Sequence, residues 1–417
     1  MITELRAQNF KSWKDTGKLQ FAPLTGLFGA NSSGKTSILQ VLLMLKQTAE
    51  RPSDWNEPLY FGDGQSLVNL DNFGTVIHKH KQDLSLDISV SWKSSTVADI
   101  NKYIRFYNLN VETRSPSQGD RDRSEEISFS TNIARGVVNN SYYATDLYRF
   151  DVQQPDLFRC YGFRTARNEI MEISSRFEED FENLFSRILY LGPLREYPQH
   201  AYTWEGDHPK GIGQEGEKAI SALLSGRIRH LSIDKQILSW LQRLELIDSY
   251  DLRPISDTNQ DYEFLVKKYK DGPEVRLTDV GFGVSQVLPV LILCYYAPEG
   301  SILILEQPEA HLHPKVQSEL ADVLIDVVKN RNIQIILESH SENLLLRLMR
   351  RIAEEKMSVD DTVLYSCQIN DGTSEIERLN MDEYGNIRNW PQDFFGDATG
   401  ELIKKTRAEM QRRKVIE

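Results

Sequence analysis

Residues 24–37 read LTGLFGANSSGKTS, and this stretch decides the fold. The segment from Gly29 to Thr36 matches the pattern G-x-x-x-x-G-K-[ST] at every position. Its glycines let the backbone curl so that successive N–H groups face a phosphate, while Lys35 supplies a charge and Thr36 a hydroxyl for Mg²⁺. An apolar strand precedes the loop and an amphipathic helix follows it, as a nucleotide site requires. The predicted nucleotide-binding residues here are Gly29, Asn31, Ser32, Ser33, Gly34, Lys35, Thr36 and Ser37.

Composition narrows the class of protein. The chain has 417 residues and a net charge of −12, which is long enough for two or three domains and argues against a uniformly basic nucleic-acid coat. Cys160, Cys294 and Cys367 are isolated, so neither a disulfide framework nor a zinc site is indicated. The N-terminus lacks an apolar signal region, and the longest apolar run is shorter than the ~20 residues of a membrane span. We expect a cytoplasmic chain without a membrane segment.

The order of patterns predicts an α/β nucleotide-binding domain that is split along the chain. Residues 1–95 alternate as strands and contain the glycine loop, so they predict an N-terminal lobe with a mixed β region. Residues 96–270 predict a mixed insert, a β hairpin followed by a helical arm or lid. Residues 271–369 alternate strand and helix as a C-terminal lobe, and residues 370–417 form a tail with a basic helix.

A second half of the site is predicted where two strands end. Residues 301–314 read SILILEQPEAHLHP, and Glu306 ends this buried strand, where it can hold Mg²⁺ partly through water. The alternative for Glu306 is a surface ion pair. His340 ends the next strand, IQIILESH, and beside a nucleotide it is a candidate γ-phosphate sensor; alone, it would be a structural histidine.

Gln307 stands where nucleotide hydrolases usually carry a second acid. An amide can orient water but cannot take its proton. Three interpretations compete: Glu309 supplies the base, the γ-phosphate accepts the proton while Gln307 positions the water, or turnover is slow and the ATP-bound form does the work. We favour slow hydrolysis with Gln307 positioning water. The candidate catalytic residues are Gln307, Glu309 and His340.

The stretch LTDVGFGVSQ predicts a second anion-accepting helix N-terminus. Its candidate residues are Gly281, Gly283, Ser285 and Gln286. The alternative is a tight turn between strand and helix; in the functional interpretation the motif reaches a phosphate on a neighbouring molecule. The His311-x-His313 pair lacks further ligands at suitable spacing, which disfavours a metal site.

Together these motifs resemble the ABC-type ATPases of the SMC/RecF/OLD-like AAA group, over about residues 1–50 and 274–350. NFKSW resembles the strand-turn near the nucleotide and adds Lys11 to the nucleotide-binding residues. GANSSGKT resembles Walker A, VGFGVSQ the signature motif, and EQPEAHLHP a Walker B fused to a D-loop. His340 corresponds to the switch histidine. YLGPLRE (residues 190–196) lies where a Q-loop is expected but lacks the glutamine.

The resemblance implies a fold of the ABC type and a homodimer, or a higher even oligomer, that holds ATP and Mg²⁺ between Walker A of one subunit and the signature of the other. DVGFGVSQVLP, EQPEAHLHP and WPQDFF resemble the small ATPases of Septu-like anti-phage cassettes, which implies a separate effector chain such as a nuclease. We find no Toprim nuclease set after His340. The alternatives are a RecF/SMC-like ATPase that binds DNA directly, which the basic clusters RLMRR and KKTRAEMQRRK support weakly, and a non-hydrolysing scaffold.

Overall fold

The structure is a computed structural model, and it describes residues 1–51, 58–81, 83–94, 112–113, 126–134, 137–144, 148–154, 161, 168–229, 232–255, 260–391, 394–395, 405 and 409. The strands are β1 (Ile2–Phe10), β2 (Trp13–Asp15), β3 (Leu19–Gln20), β4 (Leu24–Gly29), β5 (Leu86–Lys93), β6 (Glu112–Thr113), β7 (Glu126–Ala134), β8 (Val137–Ala144), β9 (Tyr148–Gln154), β10 (Ile188–Leu191), β11 (Tyr202–Thr203), β12 (Ser249–Pro254), β13 (Asp261–Lys267), β14 (Glu274–Arg276), β15 (Ile302–Glu306), β16 (Gln334–Ser339), β17 (Thr362–Asn370) and β18 (Thr373–Arg378). The helices are α1 (Lys35–Ala49), α2 (Phe73–Val76), α3 (Asn168–Ser186), α4 (Ala219–Ile228), α5 (Ile233–Arg243), α6 (Phe282–Tyr296), α7 (Pro314–Arg331) and α8 (Glu342–Ala353), with short 3-10 turns at His78–His80 and Leu277–Asp279.

A central sheet positions the nucleotide motifs. Its described strands run in the order β10-β15-β16-β4-β17-β18, and every neighbouring pair is parallel except the β17–β18 hairpin. In an open parallel sheet the carboxyl ends of the strands lie along one edge, where ligands bind. The ends of β4, β16 and β15 are therefore neighbours, and they carry the glycine loop, His340 and Glu306, respectively. The α/β fold predicted from the sequence is confirmed.

Alternating side chains of the central strands enter two separate cores. Ile302 and Ile304 of β15 pack on the face that also buries α1 and the N-terminal sheet. Leu303 and Leu305 pack on the opposite face with α6, α7 and α8. Since neighbouring residues of a strand point to opposite faces, Glu306 continues the row of Ile302 and Ile304 and lies on the α1 face.

Two antiparallel sheets accompany the central one. The first has the described strands in the order β2-β1-β5-β7-β8-β9-β6, with β3 also paired to β1. The second has the order β11-β13-β12, with β14 also paired to β13. Among the described helices, none is long and apolar enough to cross a bilayer.

The structure differs from the predicted boundaries at two strands of the central sheet. Residues 188–191, predicted within the insert, form β10 and pair in parallel with β15. Residues 373–378, predicted in the tail, form β18 and pair with β17. For β10 the reason is that its partner lies more than 100 residues away, so the pairing leaves no local pattern in the sequence. β18 instead forms a local hairpin with β17 that extends the sheet past residue 370. Most of residues 96–125 of the predicted insert and most of the basic C-terminal helix lie outside the described residues.

A buried glutamine joins the N-terminal sheet to the central sheet. The Gln334 side chain accepts a hydrogen bond from the Ile2 N–H (2.9 Å), and it donates to the carbonyl oxygens of Ile2 (2.8 Å) and Ala22 (3.1 Å). Gln334 is fully buried at the start of β16. Because a buried amide is costly unless it is bonded, these contacts specify how β1 meets the central sheet.

We expect Gln334→Met to lower the free energy of unfolding by about 2–4 kcal/mol, because it removes the bonds to the Ile2 N–H and to the carbonyl oxygens of Ile2 and Ala22. Of these groups, the Ala22 carbonyl keeps a bond from the Thr25 hydroxyl (3.2 Å). The measurement is urea denaturation followed by circular dichroism. The exposed Gln236 provides the control, since Gln236→Met should change stability by less than about 0.5 kcal/mol. A Gln334→Met protein as stable as the control would show that these bonds contribute nothing.

Candidate nucleotide-binding site

The phosphate loop, Gly29–Thr36, adopts backbone conformations that require glycine at both of its ends. Gly29 has φ +140° and Gly34 has φ +93°. A Cβ atom at Gly29 would collide with the backbone carbonyl of Cys367, and one at Gly34 would collide with the Ser374 hydroxyl. Both walls come from the β17–β18 hairpin. The loop is therefore held closely between β4 and this hairpin, directly before the N-terminus of α1.

Lys35 and Thr36 begin α1 and point into the site. The Lys35 ammonium donates to the carbonyl oxygens of Gly29 (3.1 Å) and Ala30 (2.7 Å) and lies 3.3 Å from the Ser33 hydroxyl. Lys35 is buried, and burial lowers the pKa of its ammonium. The Thr36 hydroxyl donates to a carboxylate oxygen of Glu338 (2.7 Å). Both side chains are thus oriented by the loop and by β16, as phosphate and cation binding require.

Glu338 is the residue that the sequence analysis missed. It lies on β16 with a side chain only 2% exposed, bonded to Thr36 and 3.8 Å from the Lys35 ammonium. Its other neighbour is the His340 ring, whose Nε2 is also 3.8 Å away. The signal was an acid two residues before His340 in an otherwise apolar strand, since Glu is almost never fully buried without a partner. Glu338 therefore links the phosphate loop to the switch histidine.

Glu306 and Glu338 are paired across β15 and β16. The parallel register sets Glu306 opposite Glu338, and both follow the alternate positions that face α1. The Tyr190 hydroxyl donates to a Glu306 carboxylate oxygen (3.0 Å). Burial and the neighbouring charge of Glu338 raise the pKa of Glu306 to about 7, and burial raises the pKa of Glu338 as well. Two carboxyl groups that resist ionisation together are suited to share a cation or a proton.

Gln307 turns away from the strand in a left-handed conformation, with φ +44°. Its backbone N–H donates to the carbonyl oxygen of Glu338 (2.8 Å), which extends the β15–β16 pairing by one residue. Its side-chain amide donates to the Glu338 carboxylate and lowers the pKa of that group. An acid in this place would add a further negative charge beside Glu306 and Glu338, whereas the amide stabilises the pair.

Glu309 and His340 are brought together by the chain reversal after β15. One carboxylate oxygen of Glu309 accepts bonds from the Ser339 hydroxyl and the His340 N–H, both at 2.8 Å. The other oxygen is buried without a hydrogen-bond partner among the described residues. Burial, followed by the charge of Lys35, lowers the pKa of His340, while a bond to the Gly29 carbonyl raises it. The histidine thus lies between the phosphate loop and the Glu306–Glu309 turn.

The other residues predicted to bind nucleotide lie around the phosphate loop without contacting Glu306 or Glu338 through any hydrogen bond between described residues. Lys11 donates to the Gln40 side chain on α1 (2.5 Å), one turn beyond Thr36. Asn31 and Ser32 are exposed at the tip of the phosphate loop, and the Ser37 N–H donates to the Gly34 carbonyl (3.1 Å).

The predicted signature lies apart from the phosphate loop of its own chain. No hydrogen bond or ion pair between described residues joins the two motifs. Ser285 and Gln286 are buried, and the Ser285 hydroxyl donates to the Phe282 carbonyl (2.8 Å). Gly281 starts the turn before α6 with no atom within 4 Å of where its Cβ would be, so the surface presents the backbone of Gly281–Gly283.

Two other predicted features have structural roles. Arg347 and Arg351 bind Asp322 (shortest distances 3.1 and 2.5 Å), and Arg350 binds Glu354 (2.7 Å), so the RLMRR cluster is neutralised by acids. His313 caps α7 by accepting the Lys315 N–H (3.3 Å), while His311 packs edge-on against the Phe282 ring. Neither the arginine cluster nor the histidine pair forms a separate site among the described residues.

The oxygen atoms of the site fit a magnesium ion. Glu306, Glu338 and Thr36 are hard oxygen donors, which Mg²⁺ prefers. A divalent cation would also offset the repulsion that raises the pKa of Glu306. These three residues are therefore the ones that could hold Mg²⁺, directly or through water.

Comparison with sequence families identifies the two halves of this site. The model described as AAA ATPase domain matches residues 1–189, from β1 to β10. The AAA domain model that carries the names AbiEii toxin and type IV toxin–antitoxin system matches residues 241–347, which include the signature, Glu306 and His340. Both models describe AAA-type ATPase domains. A family of proteins of unknown function (DUF3696) matches residues 357–404, which contain β17 and β18.

Solved structures with a similar arrangement include SMC head domains. An SmcHead bound to the C-terminal winged-helix domain of ScpA matches with a TM-score of 0.48 at 14% identity, covering 92% of this chain and 98% of that one. The SMC head domain from Thermotoga maritima matches with a TM-score of 0.44 at 12% identity, covering 91% and 99%. The ScpA-bound head with an extended coiled coil from Pyrococcus furiosus gives 0.45 at 12% identity, covering 97% and 99%. No curated protein sequence matches the chain.

Proposed function

We propose that this AAA-type ATPase hydrolyses ATP with Glu338 as the acid that Gln307 lacks. The observation that carries the proposal is the position of Glu338, a buried carboxylate that contacts Thr36 and lies 3.8 Å from both Lys35 and His340. A general base must lie within reach of the proton it removes and have a pKa near the working pH. Burial raises the pKa of Glu338 in that direction.

In this proposal each residue of the site has one task. The N–H groups of the phosphate loop and Lys35 bind the phosphates of ATP, and Thr36 and Glu306 hold Mg²⁺. Mg²⁺, when bound, neutralises charge that develops on the phosphate oxygens. Glu338 accepts a proton from the attacking water, and Gln307 orients both the carboxylate and the water. Glu309 fixes His340 through the bonded N–H, so it is a positioning residue and not the base.

We expect Glu338→Gln to lower kcat by about 10²–10⁴-fold, because the amide keeps the shape of the side chain but cannot accept a proton. The measurement is steady-state phosphate release at saturating ATP. Glu205→Gln, at an exposed position, is the matched control and should leave kcat unchanged.

The Mg²⁺ dependence separates two roles for Glu338. If the residue only held the cation, the lost rate would return at high Mg²⁺; as a base, its loss persists at saturating Mg²⁺. We also expect that Gln307→Glu does not raise kcat, because the mechanism already has its base in Glu338. An increase in kcat for Gln307→Glu would assign the missing base to position 307 instead.

We also propose that ATP closes two copies of the chain head to tail. Support comes from the separation of the signature from its own phosphate loop and from the exposed backbone of Gly281–Gly283 at a helix start. Helix N-termini favour anions, so this surface suits the phosphates bound by a second copy. The exposed ring of Phe282 stands beside it and contacts Tyr197.

Gly281→Glu should abolish ATP-dependent dimers without unfolding the chain, because the new side chain meets no atom in its own subunit but adds a negative charge opposite phosphate. Dimerisation is measured by light scattering with ATP in a Glu338→Gln background.

A second experiment tests whether each site is formed by two subunits. It mixes Lys35→Ala chains with Gly281→Glu chains, both otherwise wild type, and measures ATPase activity. Random pairing gives heterodimers with one intact site of two and about a quarter of wild-type activity. No recovery on mixing would rule out the head-to-tail arrangement.

We further propose that the ATP-closed form acts on a separate effector chain, with slow turnover setting how long it persists. The support is the toxin–antitoxin name of the matched AAA model. Direct DNA binding is the weaker alternative, since the described arginine cluster 347–351 is neutralised by Asp322 and Glu354. ATP-dependent association with the product of an adjacent gene would support the effector, whereas salt-sensitive DNA binding by the isolated chain would support the alternative.

A further inference from the structure

Arg195 is a buried cation that the proposed mechanism does not use. Its side chain is 8% exposed, yet no carboxylate of the described residues lies within ion-pair distance. Its two NH₂ groups reach the carbonyl oxygens of Leu194 and Glu306, both at 3.4 Å, and its Nε–H has no acceptor among the described residues. A guanidinium has five N–H donors, and burying it without an anion is costly. A residue kept under these conditions indicates a ligand.

The backbone holds Arg195 at the edge of the nucleotide site. The segment 192–196 follows β10, and its ends are anchored by bonds from the Gly192 N–H to the Gln214 carbonyl (2.7 Å) and from the Glu196 N–H to the Glu215 carbonyl (2.9 Å). Leu194 within this segment is 71% exposed and Tyr197 just after it is 75% exposed, whereas Arg195 turns inward over the end of β15. An apolar side chain therefore faces solvent while the cation is buried.

The nearby carboxylates form no ion pair with Arg195, although one oxygen of Glu309 has no hydrogen-bond partner among the described residues. Glu306 accepts a bond from Tyr190, and Glu309 accepts bonds from Ser339 and His340. Burial lowers the pKa of Arg195 to about 10, and the charges of Glu309 and Glu306 act in the opposite direction, so the guanidinium is charged at neutral pH. The forked donors of a guanidinium match the oxygens of a phosphate group better than a single ammonium does.

We propose that Arg195 binds the terminal phosphate of ATP in the same subunit and thereby makes the site selective for the triphosphate over the diphosphate. This rests on the proposed function of the phosphate loop. The loop ends β4, and Arg195 lies at the end of β15, two strands away across β16. Strands are ~4.8 Å apart, so the ends of β4 and β15 are separated by about 10 Å. A phosphate chain bound at Lys35 extends toward Arg195, and its outermost group is the part that reaches it.

The test compares binding of a non-hydrolysable ATP analogue, adenylyl imidodiphosphate, with binding of ADP, both with Mg²⁺, by titration calorimetry. Arg195→Met should weaken binding of the analogue about 10–100-fold, the effect of losing a charged hydrogen bond, and change ADP binding by less than about threefold. Arg195→Lys keeps the charge but loses the forked pair of donors. Its affinity for the ATP analogue should lie between that of wild type and that of Arg195→Met. Arg253→Met, at an exposed ion pair, is the control.

A second readout separates ligand binding from a structural role. Without nucleotide, the Arg195→Met protein should unfold at the same temperature as wild type or higher, because an uncompensated buried charge is removed. A lower unfolding temperature, or equal losses of ATP-analogue and ADP affinity, would contradict the assignment. If the Met variant does not fold, that assigns Arg195 to the fold, and the Lys variant confirms this by binding both nucleotides as wild type does.

The Lys35→Ala protein distinguishes this inference from the proposed function. If wild type binds neither nucleotide, or Lys35→Ala binds both as well as wild type does, the phosphate loop has been assigned wrongly. If Lys35→Ala loses both nucleotides while Arg195→Met loses neither, the loop is correct and only Arg195 is assigned wrongly.

Discussion

The site depends on the parallel register between β15 and β16. That register sets Glu306 opposite Glu338 on the face toward α1, where Thr36 and Lys35 also point. The hydrogen bond from the Gln307 N–H to the Glu338 carbonyl extends the same pairing into the turn. A shift of one residue would send one carboxylate into the apolar core on the opposite face. Two fully buried hydrophobic strands therefore determine where the two carboxylates lie.

Buried polar groups with all their hydrogen bonds made differ in role from those with bonds left unmade. The former hold the sheets together, and two of the latter lie where a ligand is expected. The Gln334 amide is hydrogen-bonded inside the protein through both its oxygen and its nitrogen, and it joins two sheets. Arg195 and the second oxygen of Glu309 are buried with bonds left unmade, and both lie at the end of β15 or just after it. Three further buried side-chain atoms without a partner among the described residues, in Thr131, Glu319 and Ser366, lie elsewhere. Native proteins satisfy most buried polar atoms, so the charged pair of exceptions at the end of β15 points to chemistry performed there.

The sequence predicts the local parts of this site well and the contacts between distant strands poorly. The glycine loop, the helix after it, Glu306 at a strand end and His340 at the next are all readable from periodicity and motif spacing. Glu338 and Arg195 were not found, although both stand inside stretches that were singled out, IQIILESH and YLGPLRE. The importance of Glu338 comes from its register with Glu306, 32 residues earlier, and that of Arg195 from its inward orientation after β10, whose strand partner β15 lies more than 100 residues later. The role of the Gln307 amide could not be predicted for the same reason, because it depends on the hydrogen bond to the Glu338 carboxylate.

The position of β4 has a consequence for how the chain is made. This strand lies between β16 and β17, and the walls against Gly29 and Gly34 come from the β17–β18 hairpin. A ribosome must therefore pass residue 378, at the end of β18, before the loop at residues 29–36 acquires these neighbours. Until then the apolar strand LTGLFG has both edges open, the kind of segment that aggregates or recruits chaperones. The phosphate loop can therefore take its final conformation only after synthesis has passed β18.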